Sequence, residues 1–173
     1  HEGGPLLRVA ALQPRRTGLV QTAVAGTKAS ILDKTREVMN ARLAQLDCPP
    51  VTERRCAHDA AEVAAQIKEL AAPGSEILLR CASAIVDRRD VLPAALEAAG
   101  GRVLHFGMPV DPGNLILLGE LDGRPVIGLP GCARSPKVNG FDWVLQRLLA
   151  GLDVRPGEIM QMGAGGLLKE IAA

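Results

Sequence analysis

Glu76-Ile77-Leu78-Leu79-Arg80 is the stretch that decides the fold. A short, continuous apolar run bounded by turn signals suits a central strand covered on both faces. Helical patterns flank it. Before it, Asp59 caps a helix with Glu62 at the matching acidic position. Val63, Ala64, Ile67 and Leu70 form that helix's apolar face, and Pro73-Gly74 stops it. After it, a loop from Cys81 to Arg89 leads into another helix near Asp90. Pro93 is tolerable in the first turn of that helix, and Gly100-Gly101 closes it.

The pattern continues outward in both directions. Thr17 to Thr22 reads as a strand and Ala23 to Ala29 as a flexible loop. Ser30 is the expected cap of the first helix, with Asp33 reaching back as its acidic partner. Ile31, Leu32, Val38, Met39, Leu43 and Leu46 mark its buried stripe, which Pro49-Pro50 ends. Val51 to Cys56 reads as a peripheral strand, because Glu53, Arg54 and Arg55 are consecutive charges. Downstream, Arg102 to Phe106 is a strand. Leu115 to Leu121 and Arg124 to Leu129 flank Asp122-Gly123, a hairpin-turn signal. The last helix is expected from about Asn139 to Ala150, with Gly151 as its C-cap. Strands alternating with helices predict an α/β fold, a three-layer α/β/α sandwich with a mostly parallel sheet and an antiparallel hairpin at one side. Residues 1–155 form the expected domain. Residues 156–173, with Gly163, Gly165 and Gly166, read as a C-terminal tail, linker or docking segment.

Composition narrows the function classes. The 173 residues are 47% hydrophobic and 23% charged, as in an ordinary globular protein. Only 2% are aromatic, which leaves the core to aliphatic side chains and counts against a base-stacking nucleic-acid platform. A net charge of +1 gives no strong pull towards nucleic acid or an anionic membrane. Cys48, Cys56, Cys81 and Cys132 form no CxxC pair, and no histidine stands at zinc-finger spacing from them. Reduced thiols and a cytoplasmic location are the expectation. No apolar run is long enough to cross a bilayer, and no signal-peptide pattern is evident. The chain begins with His1 rather than Met, which suggests a piece of a longer protein.

In such sheets ligands bind outside the carboxyl ends of the strands. That directs attention to the segments after Thr22, Arg80 and Leu129. In Cys81-Ala82-Ser83-Ala84-Ile85-Val86-Asp87-Arg88-Arg89-Asp90, small residues let a ligand approach the backbone, and Ser83 offers a hydroxyl. Arg88 and Arg89 suit an anion. Asp87 and Asp90 suit Mg²⁺ or a ligand's amino groups. The plain alternative is a charged helix start with solvated arginines. Gly128-Leu129-Pro130-Gly131-Cys132-Ala133-Arg134-Ser135-Pro136-Lys137 also follows a strand. Gly131 permits unusual backbone angles, and Arg134, Ser135 and Lys137 offer phosphate donors, although a rigid Pro-Gly turn would read the same. Gly26-Thr27-Lys28-Ala29-Ser30 carries hydroxyls and a lysine but lacks Walker spacing, and the chain has no GxGxxG. Lys34 could reach the same cleft or be solvated. Asp111-Pro112-Gly113-Asn114 is a turn by default. Asp59 is a helix cap first and a metal or substrate contact second, and His105 reads as structural. Cys132 has no adjacent histidine to activate it.

At these loops the chain resembles the molybdopterin-binding domain of molybdenum-cofactor biosynthesis proteins, which include molybdopterin adenylyltransferases and molybdenumtransferases. The similarity runs from about Arg16 to Leu152. Arg88-Arg89-Asp90-Val91-Leu92-Pro93 looks like the adenylyltransferases' RRDVTPDA segment, and Gly128-Leu129-Pro130-Gly131 resembles the family's LPG(N/K)P loop. The resemblance implies that Asp59 and Asp90 are the paired catalytic acids, with Asp90 as the metal ligand. Taken with the loop readings above, the candidate residues for holding molybdopterin or molybdenum cofactor are Thr27, Lys28, Ala82, Ser83, Asp87, Arg88, Gly131, Cys132, Arg134 and Ser135, with Mg²⁺ as a further candidate. Departures are plain. Cys81-Ala82-Ser83 replaces the glycine pair of TTGG, and Gly26-Thr27-Lys28 replaces an acidic TGDEL-like element. The pattern looks closest to a divergent branch joined to a nucleotidyltransferase domain, and Met162 to Ile171 resembles the junction leading into it. Two roles follow: a module that binds the pterin and presents it to a fused domain or a molybdoenzyme maturation partner, or an enzyme of molybdopterin adenylylation or molybdate insertion. Neither nucleic acid nor membrane is an expected partner, and a homo-oligomer stays open.

Overall fold

A computed structural model describes residues 9–72, 74–81 and 90–163. The first strand, β1 (Thr17–Ala23), leads to α1 (Ala29–Ala44), and β2 (Thr52–Ala57) to α2 (Ala60–Ala71). The central strand β3 (Ile77–Cys81) precedes α3 (Val91–Ala98), and β4 (Arg102–Phe106) follows. The hairpin strands β5 (Leu117–Leu121) and β6 (Arg124–Leu129) run into a short 3-10 turn at Gly131–Arg134. Two helices, α4 (Gly140–Leu149) and α5 (Pro156–Gln161), complete the described chain.

The six strands form one sheet in the order β2-β1-β3-β6-β5-β4. β2, β1, β3 and β6 are parallel, while β5 pairs antiparallel with both β6 and β4. Alternation along β3 divides the core. Ile77 and Leu79 join a cluster with Met39, Leu43, Phe141, Val144 and Leu145 on the α1/α4 face. Leu78 joins Val63, Ile67, Leu70, Leu92 and Leu96 on the α2/α3 face. This is the three-layer α/β/α sandwich expected from the sequence. β2, with exposed Arg54 and Arg55, lies at one edge, where charged side chains stay in water and blunt unwanted pairing.

Three local features bear on the sequence reading. First, α1 starts two residues early, with Lys28 rather than Ser30 as its N-cap and no side-chain cap bond, so Ser30 lies inside the first turn. Asp33 does not reach back to the cap. Its carboxylate accepts from Arg55 at 2.7 Å and lies 3.7 Å from Arg36, and the Arg55 hydrogen bond holds its pKa below the usual carboxylate value. Opposite charge on β2 outcompetes a local amide. Second, within the segment expected as tail, linker or docking segment, residues 156–163 pack against the body, with Ile159 fully buried and Met162 nearly so in the α1/α4 cluster. Third, Gly131 does not adopt left-handed backbone angles, and a Cβ there would meet nothing within 4 Å.

Candidate functional site

Register places the loops together. Gln21 pairs with Cys81, and Cys81 with Leu129, so the connections after β1, β3 and β6 leave one rim of the sheet. Ala23 pairs with Ala57, which brings the end of β2 to the same rim. Ala82, Ser83, Asp87 and Arg88 lie outside the described residues, but both flanks of their loop are at this rim. Cys81 is placed there by its pairing and Asp90 by contact with His58.

His58, just beyond β2, is the hub. Its Nδ1 lies 3.0 Å from Thr22 Oγ1 and 3.3 Å from Arg80 Nη2. Guanidinium can only donate, so Nδ1 is the acceptor in the contact with Arg80. Nε2 faces Asp90 Oδ1 at 3.7 Å, and the same carboxylate oxygen caps α3 by accepting from the Val91 amide. Arg80 is fully buried although its strand is otherwise apolar. Alternation along β1 and β3 puts Thr22 and Arg80 on the α2/α3 face, under His58. Asp59 performs its structural role: its carboxylate accepts from the Ala61 and Glu62 amides at 2.9 and 3.1 Å. Glu62 reaches back to the Ala57 amide at 2.8 Å.

Beside His58 a cavity of about 160 Å³ is lined by Thr22, Val24, Thr27, Ile31, Leu32 and Arg134. It unites the first and third predicted loops with the end of β2. Pockets for whole drug-sized ligands occupy roughly 300–1,000 Å³, and an engineered cavity of about 150 Å³ takes one benzene. The cavity therefore suits one ring-sized or phosphate-sized part of a ligand. Val24 and Ile31 supply an apolar wall, and Arg134, His58 and the threonines supply polar edges. Thr27 Oγ1 accepts from the Val24 amide at 3.0 Å, which fixes the turn carrying it. Lys28, at the N-cap of α1, and Lys34, within the helix, are exposed.

The Gly131–Lys137 segment is anchored from below by Arg42, which sequence reasoning missed. Arg42 Nε donates to Asp142 Oδ1 at 2.7 Å, Nη1 to the Ala133 carbonyl at 2.8 Å, and Nη2 to the carbonyls of Ser135 and Lys137. Ser135 Oγ accepts from the Lys137 amide at 3.3 Å. The Asp111–Asn114 turn closes against the start of α4, where Gly140 donates to the Pro112 carbonyl at 2.9 Å. Burial is the main reason that the half-buried Cys132 thiol titrates above its ordinary value, and Asp111 adds to the effect. Neutral thiol at this position is a poor nucleophile or metal ligand. Among the described residues no group of three or more His, Cys, Asp or Glu side chains is arranged to hold a metal ion. No described helix is long and apolar enough to cross a membrane.

The cavity wall is mainly apolar, with hydroxyl, imidazole and guanidinium groups at its edges. No protein-family pattern matches the chain, and no curated protein does. Among solved structures, the fold is similar to that of the molybdopterin biosynthesis MoeA protein from Pyrococcus horikosii, with a TM-score of 0.53 and 16% sequence identity. The match covers 80% of this chain and 35% of the neighbour, so the chain spans about a third of that protein and shares with it a fold.

Proposed function

We propose that the chain binds molybdopterin or molybdenum cofactor during cofactor biosynthesis and presents it to a partner or fused domain. The observation that carries this reading is the convergence of Thr22, Thr27, His58 and Arg134 around one small cavity at the carboxyl rim. The pterin's phosphate would face Arg134 and the amides of the Gly131 segment, and Ala82, Ser83, Asp87 and Arg88 are further proposed contacts. Thr27, Lys28, Cys132 and Ser135 complete the proposed contacts. Asp90 is the proposed position for Mg²⁺ where a metal accompanies the ligand. Charge-assisted donors to phosphate are the strong contacts in such a site. The replacement of the family's glycine pair and the use of Asp59's carboxylate on helix amides favour binding over turnover.

The second reading, adenylylation of molybdopterin or molybdate insertion, is favoured by the His58–Asp90 pair standing at the same rim. The two are separated by one assay. Protein purified from cells making the cofactor is examined for a copurifying pterin by fluorescence and mass spectrometry, then incubated with molybdopterin and ATP. A bound pterin without AMP incorporation supports the module over adenylylation. AMP incorporation lost in Asp90→Asn establishes the enzyme instead, and a protein that neither carries nor takes up pterin refutes both.

A further inference from the structure

Arg42 is buried on α1, and its guanidinium forms an ion pair with Asp142, itself nearly buried. Such pairs are weak sources of stability, since well-packed apolar side chains often replace them without loss. An apolar side chain could not supply directed donors, and Arg42 directs its donors at one segment: the carbonyls of Ala133, Ser135 and Lys137. Resting on the ligand-binding reading of the rim, we propose that Arg42 is the positioning residue that gives the Gly131–Lys137 segment its ligand-binding shape.

The peptide plane supplies the mechanism. A carbonyl turned inward turns the following N–H outward, because the two are antiparallel across a trans peptide. Three carbonyls held on Arg42 therefore aim the amides of Arg134 and Val138 away from the core, while Pro136 has no N–H to aim. Side chains follow the same division. Ala133 is fully buried above Arg42, whereas Arg134 stands in the cavity wall with His58, and Val138 is exposed. Asp142 orients the fork from behind: Oδ1 accepts from Arg42, and Oδ2 accepts from the Asn139 amide in the capping box of α4. The loop is thus ordered before any ligand arrives, so binding does not have to supply the ordering. Lysine cannot substitute, because one ammonium lacks the planar fork that reaches a carboxylate and three carbonyls at once.

Arg42→Met, Arg42→Lys and, as a stability control in the same core layer, Leu145→Ala test this. Amide hydrogen exchange without ligand should rise at residues 131–138 in both Arg42 variants and stay at the wild-type level in α2 and β3. Titration with molybdopterin, well below every variant's melting temperature, should show affinity falling about tenfold or more in both Arg42 variants. Leu145→Ala should bind as wild type does. Unchanged exchange at 131–138, or an equal loss of affinity in Leu145→Ala, overturns the positioning role. If Arg42→Met does not fold, Arg42→Lys carries both readouts. Wild-type binding with undiminished affinity in the Arg42 variants removes the clamp and leaves the proposed function standing. A wild-type protein that binds no molybdopterin removes the function and the clamp's role with it.

Discussion

Asp59 holds the first turn of α2 through two amide hydrogen bonds. Asp59→Ala is expected to destabilise the protein by about 1 kcal/mol, while Asp59→Asn, which caps equally well, should cost little. Urea unfolding measures both. If the carboxylate also acts on a ligand, Asp59→Asn will lower function without lowering stability. The thiols give a pH-dependent expectation. Burial disfavours the thiolate of Cys56 and of Cys132, so both titrate above their ordinary value. In the folded state each holds its proton more tightly than in the unfolded chain. Their contribution to stability is therefore complete below the unfolded pKa and is lost as pH rises through the folded one. Alkylation by iodoacetamide near neutral pH should be slower at both than for glutathione, and should accelerate on unfolding. Equal rates in the folded protein would contradict the burial. At this scale the sequence disclosed Asp59, because a cap acts within three residues. It did not disclose Arg42 or His58. Arg42 meets Asp142 across 100 positions of chain, and His58 meets Arg80 across 22, where no local pattern operates.

Among the elements, position in the sheet sets the cost of change. Leu78 on β3 is enclosed by α2 and α3, and Leu78→Ala is expected to cost about 2–5 kcal/mol. Arg54 on the edge strand β2 makes a 3.7 Å exposed pair with Glu69, and Arg54→Ala should change stability by no more than about 0.5 kcal/mol. Thermal or denaturant unfolding compares them directly. The apolar run at Glu76–Arg80 and the charged run at Glu53–Arg55 marked these two strands as centre and edge, because periodicity and charge report burial. The cap of α1 lies at Lys28 and not at Ser30, and Asp33 answers to arginines on α1 and β2 rather than to its own helix amides. α5 falls in the segment expected as tail, linker or docking segment, because six residues beside a glycine run show no helical stripe; Ile159 and Met162 pack it into the α1/α4 cluster.

Across the whole molecule, parallel β1, β2, β3 and β6 deliver four connections to one rim. The placement of the loops after Thr22, Arg80 and Leu129 was legible because topology alone assigns ligands to the carboxyl ends of parallel strands. The cavity's chemistry was only half legible. Thr27 and Arg134 stand in loops that follow strands of the parallel sheet, but the His58–Thr22–Arg80 bridge needs three strands aligned before it exists. The same rim now offers a direct test. Gly131 is exposed and has open space around its Cβ position, so Gly131→Val should fold normally while crowding the approach to the neighbouring amides. Isotope-labelled protein is titrated with molybdopterin and followed by backbone amide NMR. The account predicts shifts concentrated at Thr22, Thr27, His58, Gly131 and Arg134, and their loss in Gly131→Val. Shifts confined to another surface such as the β4 edge at Leu104–Phe106, or saturable binding undiminished by Gly131→Val, would contradict it.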